Sequence, residues 1–182
     1  MNNVFIDLGA YRGLYIRRFR KSSFYKPDCK MFAFECNPHV TTDYGVGVTT
    51  IRKAAWISDG ELEFFVSKKT PHAVQGSSVY KEKITGNLDK NHPVKTPCID
   101  FSKWLKDNFQ PEDNIILKCN IEGAEYDILE KCIADGTIGY IKESWIQWHW
   151  KRCRIPEKRH RDLVVKLNSY DIKQHRGYGD LK

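Results

Sequence analysis

The 182-residue chain has no run approaching the roughly 18 consecutive apolar residues of a membrane-spanning helix. It has no C-x-x-C pair, which argues against a zinc knuckle or a paired redox thiol. It has no internal repeat and no low-complexity tract, which excludes a solenoid and a long disordered linker. Met1 is followed almost at once by an apolar strand, with no basic stretch and apolar region of a secretory leader. Three of the six cysteines, Cys98, Cys119 and Cys132, lie inside apolar runs, where a thiol packs as a small hydrophobe. A reduced, cytoplasmic protein is the expectation. With 41% apolar residues the chain can bury one core, so a single domain over 1–182 is expected.

What is present is concentrated in three segments: NVFIDLGAYRG (3–13), MFAFECNP (31–38) and IILKCNIEGAEYDIL (115–129). The first is an apolar strand running into a turn from Gly9 to Gly13, and the second is a strand ending on Glu35. Strand, glycine turn, helix and a second strand closing on an acid make a nucleoside-binding βαβ unit, in which the acid accepts hydrogen bonds from ribose hydroxyls. The turn reads G-x-x-x-G, not the G-x-G-x-x-G that sets a helix N-terminus against a pyrophosphate. A ligand with a ribose and no phosphate, such as S-adenosylmethionine, fits it better than NAD or FAD. Periodicity predicts strands near 3–8, 30–35, 47–54, 61–66, 94–99, 114–119, 139–148 and 170–174, the last closing a short hairpin. Helices are predicted near 13–21, 100–109, 122–134 and 157–168, with Asp100 as an N-cap. Short apolar runs alternating with amphipathic helices imply an α/β fold whose mostly parallel central sheet is covered on both faces.

The segments FIDLGAYRG (5–13), FECNP (34–38), AAWISDGELEFFV (54–66), GSSV (76–79), VKTPCIDFSKWL (94–105) and LKCNIEGAEYDIL (117–129) occur in order, with a weaker echo in WIQWHW (145–150). This set resembles the FkbM-type S-adenosylmethionine-dependent methyltransferases. The resemblance implies a class I methyltransferase, a Rossmann-like three-layer sandwich that transfers a methyl group to an oxygen, often a sugar hydroxyl of a glycan. It puts Asp7, near the turn amides, together with Gly9, Ala10, Tyr11, Gly13 and Glu35, on the cofactor, and Ala54 and Ala55 beside its adenine. Asp7 and Glu35 also read as ordinary strand-end acids, and the alanines as simple packing.

Methyl transfer from a sulfonium needs orientation of the acceptor oxygen and a base for its proton. Asn120, Glu122 and His149 are the catalytic candidates. Asn120 replaces the aspartate usual in the family; an amide takes no proton and lends no full charge to a cation, so no metal is expected. Asn120 also reads as a helix N-cap, and Glu122 and Glu125 as first-turn acids offsetting the helix dipole. His149 is expected on one strand face with Trp145 and Gln147. Trp148 is a candidate to stack on a sugar, or a core residue. The stretch 67–93 reads as a mobile substrate lid in which Ser77 and Ser78 contact the substrate, or as a floppy insertion.

The net charge of +7 sits mostly in residues 151–182, with ten Lys/Arg against four Asp/Glu. This is a patch for a polyanion or the solvated face of a helix over 157–168 whose Leu163, Val164 and Leu167 face the core. The first strand leaves no room for preceding helices over the acceptor site, so a homo-oligomer or partner subunit is expected to cover it. The expected function is O-methylation of a sugar or glycan. The alternatives are an RNA or nucleotide methyltransferase and a cofactor-binding subunit without activity.

Overall fold

The computed structural model describes residues 1–68 and 75–175. Its central sheet has six strands: β1 (Asn3–Leu8), β2 (Lys30–Phe34), β3 (Val48–Ile51), β7 (Asn114–Cys119), β8 (Ile141–Ile146) and β9 (Lys173–His175). Their order is β3-β2-β1-β7-β8-β9, and every neighbouring pair is parallel. A second, three-stranded sheet joins β4 (Ala54–Trp56), β6 (Val94–Asp100) and β5 (Gly60–Phe64) in that order. The helices are α1 (Leu14–Phe19), α2 (Phe101–Asn108), α3 (Glu125–Ala134) and α4 (Glu157–Asn168), with a 3-10 turn at Thr137–Tyr140.

The period-2 geometry of β1 divides its side chains between two cores. Val4, Ile6 and Leu8 join Leu105 of α2, Leu129 of α3 and Leu163 of α4 on one face. Phe5 joins Ile16 and Phe19 of α1 on the other, stacked on Phe19 at 4.0 Å between ring centroids. Each fully buried phenylalanine contributes about 2–3 kcal/mol of transfer free energy. This is the doubly covered α/β sheet expected of a Rossmann-like methyltransferase. Asp100 caps α2 as predicted, its carboxylate accepting from the Lys103 amide at 2.9 Å, a contribution of about 1 kcal/mol.

The expected strand 47–54 is two strands, β3 in the central sheet and β4 in the small one, divided at Arg52 and Lys53. The closing hairpin is absent: β9 lies parallel to β8, because α4 carries the chain back across the sheet. Strand β8 ends at Ile146, so Gln147, Trp148 and His149 lie beyond it. Helix α3 begins at Glu125, three residues later than expected.

Part of the expected lid, residues 69–74, and the tail 176–182 lie outside the described residues. The rest of the lid is anchored. Ser78 bridges to Phe65, Leu88 bridges to Ser67, and Ser78 is fully buried. No helix among the described residues is long and apolar enough to cross a membrane.

Candidate functional site

The sheet order reverses between β1 and β7: the chain moves outward through β2 and β3 on one side, and through β8 and β9 on the other. Ligands of open α/β sheets bind at such a switch point, outside the strands' carboxyl ends. There Leu8 pairs with Cys119, and the turns after the two strands touch. Gly9 has φ +77°, and a Cβ on it would stand 2.2 Å from the Asn120 carbonyl oxygen. Only glycine fits that approach.

The turn after Gly9 delivers its amides to the end of β2. Gly9 and Ala10 both donate to the Phe34 carbonyl at 3.0 Å. Tyr11 donates its amide to Glu35 Oε2, and Asn37 donates to Oε1, both at 2.8 Å. Each oxygen keeps a lone pair for a second donor, so the carboxylate is held rigidly and still accepts from vicinal hydroxyls. Burial pushes the Glu35 carboxyl above its ordinary range, while the Asn37 and Tyr11 amides and the Lys118 charge pull it down.

Glu35 lines a cavity whose apolar wall is Phe34, Ala54, Ala55, Phe64, Val79 and Ile121. A flat heterocycle suits that wall and a vicinal diol suits Glu35. Asn120 adds a buried Oδ1 with no hydrogen-bond partner among the described residues, on a residue that lines the same cavity.

A second cavity adjoins the first and shares Gly9, Tyr11, Gln75, Gly76, Asn120 and Glu122 with it. Glu122 stands at the junction. Its backbone is left-handed, φ +54°, and its carbonyl accepts from Ser78 Oγ at 2.7 Å and Cys153 Sγ at 3.1 Å. A Cβ on Gly123 would meet Cys153 Sγ at 2.7 Å, so this turn is closed down by its neighbours. The Glu122 carboxylate lies 3.2 Å from Lys83 Nζ, and Lys83, 2% exposed, also donates to the carbonyls of Gly76 and Thr85. Behind Glu122, His149 Nε2 is 3.6 Å from the same carboxylate oxygen. The His149 amide donates to Glu125 Oε1 at 2.8 Å, and its Nδ1 lies 3.1 Å from that oxygen.

The sequence-predicted residues divide accordingly. Gly9, Tyr11, Glu35, Ala54 and Ala55 line the first cavity, and Ala10 lines the second. Gly13 lines neither; it caps α1 and packs under Tyr44. Asp7 lines neither cavity, and its carboxylate accepts no hydrogen bond from a turn amide among the described residues. It is fully buried with Lys118 Nζ 2.7 Å from Oδ1, and burial lifts its carboxyl above the usual range against the pull of Lys118.

Ser77 lines the first cavity with its hydroxyl turned to the Ser67 amide and the Asn37 side chain. Ser78 is a brace for Glu122 and lines neither cavity. Asn120 is not an N-cap, because α3 starts after Ala124. Glu125 is in the first turn of α3 as expected, but Glu122 precedes the helix.

His149 is 1% exposed and lines neither cavity, reaching them only through Glu122. Trp148 packs on Tyr126 and His160, Trp150 stacks on His160, and Trp145 is buried against His175; none of the three lines either cavity.

Lys83, Lys118 and Arg12, all on the second cavity, are not among the residues singled out from sequence, whereas Arg152, also on it, belongs to the basic segment read as a polyanion patch. A lysine inside the apolar run IILKC was a legible signal for Lys118, because a lysine is almost never fully buried unless paired. Lys83, inside a polar loop, gave none. Among the described residues no cluster of three or more His, Cys, Asp or Glu side chains is arranged to hold a metal ion.

Compared with known families, residues 7–170 match the methyltransferase FkbM domain. The chain belongs to the FkbM methyltransferase family. No curated protein and no solved structure matches it. In this FkbM domain the segments at 5–13, 34–38 and 117–129 converge on the switch point, beside the two adjoining cavities.

Proposed function

We propose that this FkbM domain is an S-adenosylmethionine-dependent O-methyltransferase acting on a hydroxyl of a sugar or glycan. The observation that carries the reading is Glu122, a carboxylate at the junction of an apolar, acid-ended cavity and a polar one. The first cavity fits the cofactor by its donor set. The Glu35 carboxylate, fixed by the Tyr11 and Asn37 amides, holds the ribose hydroxyls, and Ala54, Ala55 and Phe64 flank the adenine. The orphaned Oδ1 of Asn120 accepts from a polar group of the same ligand.

When bound, S-adenosylmethionine supplies a methyl group already activated by its sulfonium. The protein's remaining work is orientation and proton removal. An acceptor hydroxyl in the second cavity donates to the Glu122 carboxylate, which takes its proton as the oxygen is alkylated. Lys83 holds that carboxylate at 3.2 Å from one side, and His149, itself fixed by Glu125, stands behind it at 3.6 Å. His149 is therefore a positioning residue in this reading, and Asn120 and Glu122 are the groups that face the ligands.

The test is transfer of a labelled methyl group from S-adenosylmethionine to a panel of sugars. Label recovered as an alkali-stable methyl ether supports O-methylation of a hydroxyl. Label recovered as an alkali-labile ester, or on no sugar, overturns it.

A further inference from the structure

We infer that the second cavity selects an acceptor carrying a negatively charged group, a phosphate or a carboxylate, which Arg152 binds at its mouth. This rests on the methyltransferase reading above and names the class of acceptor. The two cavities differ in charge. The first carries Glu35 and Glu122 against Lys53. Among the described residues the second is lined by Arg12, Lys83, Lys118 and Arg152 against Glu122, with Asp7 behind Lys118. A cleft lined by one sign of charge focuses its potential on whatever enters it.

The four cations have two jobs. Lys118 and Lys83 are buried, and their ammonium groups are engaged: Lys118 by Asp7, Leu8 O and Gly9 O, Lys83 by Glu122, Gly76 O and Thr85 O. Their charges are taken up by Asp7 and Glu122 within the protein, so they add little net charge to the cavity. Arg12 and Arg152 are exposed at the same cavity. Arg152 has no carboxylate partner among the described residues, and its backbone is fixed by the Ile84 amide, which donates to its carbonyl at 2.8 Å. The planar guanidinium fork matches the paired oxygens of a phosphate or carboxylate.

The basic residues of α4 behave differently. Arg159 pairs with Asp127 and Glu130, Lys158 with Asp162, and Arg161 with Glu157. The basic C-terminal segment thus contributes Arg152 to the site and spends these other charges on its own helix and on α3.

The experiment titrates glucose 6-phosphate, glucuronate and the neutral methyl glucoside into protein saturated with S-adenosylhomocysteine, read by calorimetry. At least one charged sugar is expected to bind tenfold or more tightly than methyl glucoside. Preference for glucose 6-phosphate identifies the anion as phosphate, and preference for glucuronate as carboxylate. Arg152→Glu should reduce the preferred sugar's affinity at least fivefold. Lys158→Glu, the same charge change on a residue lining neither cavity, should leave it within twofold. Equal binding of neutral and charged sugars, no binding of either charged sugar, or equal losses in the two variants would overturn the inference. Failure of S-adenosylhomocysteine to bind is seen before any sugar is added; it overturns the underlying cofactor reading and this inference with it.

Discussion

The two adjoining cavities are built in opposite ways. The first is built mainly from short contiguous segments: the Gly9 turn, residues 34–37 at the end of β2, 53–55 at the start of β4, 75–77 and 120–122. Its polar contacts are backbone amides aimed at one carboxylate. The second draws its charge from residues 12, 83, 118 and 152, delivered by two loops, a strand and a turn. A site for a ligand shared by many enzymes can be written in short motifs, because backbone amides serve any side-chain context. A site for a particular acceptor is assembled from side chains far apart in the chain. The seam between them is Gly9, Asn120 and Glu122.

The sharpest break in this division is at Glu122. Glu122→Gln keeps its shape and leaves Lys83 its two carbonyl acceptors, so the fold should survive with a loss of about 1–3 kcal/mol. Its kcat should fall about 10²- to 10⁴-fold, the usual span for a lost general base, while S-adenosylhomocysteine binds within a few-fold of the unmodified protein. Steady-state kinetics beside calorimetry decide it, and an undiminished kcat would remove Glu122 from proton transfer.

Gly9→Ala attacks both cavities at once. A methyl group 2.2 Å from the Asn120 oxygen, on a left-handed backbone, should cost about 3 kcal/mol or more. Gly47→Ala, with φ +79° and nothing within 4 Å of a Cβ, should cost only about 1–2 kcal/mol. Urea denaturation of the two variants separates collision from backbone conformation.

Glu35→Ala should touch the first cavity alone. A lost hydrogen bond to a charged group weakens S-adenosylhomocysteine binding by about 1.5–3 kcal/mol, with sugar affinity in the second cavity unchanged. Unaltered cofactor affinity would take Glu35 out of the ribose site.

The basic tail gives a smaller effect. With the charges of α4 paired within the protein, single-stranded RNA should bind weakly at physiological salt. Tight binding that falls log-linearly with salt, at a slope near −0.7 per phosphate contact, would instead make the tail a nucleic-acid grip. The smallest effect expected is none: methyl transfer should proceed in EDTA, because Asn120 offers an amide and Glu122 is already paired with Lys83. Loss of activity restored by magnesium would contradict that.

The sequence by itself determined β1, its glycine turn, the acid at 35, the Asp100 cap and the alternation that makes a doubly covered parallel sheet. Each of these is set by residues within a few positions of one another, through period, turn chemistry and capping. Tertiary structure decided the rest. Strand 47–54 divides because Arg52 turns away, its guanidinium donating to Val40 and Thr42, and β4 finds its partner in β6. Helix α3 starts late because Ser78 and Cys153, distant in sequence, hold Glu122 in a left-handed turn. His149 is buried and Trp148 half-buried because the chain bends after Ile146 and packs them under α3 and α4. Lys83 reaches Glu122 because residues 78–84 are held there, by Ser78 Oγ donating to the Glu122 carbonyl and the Ile84 amide donating to the Arg152 carbonyl. Local pattern specifies a backbone path over a few residues. Which charged side chains meet across that path depends on contacts between distant parts of the chain, such as Lys83 with Glu122 and Asp7 with Lys118, and no short window of sequence contains them.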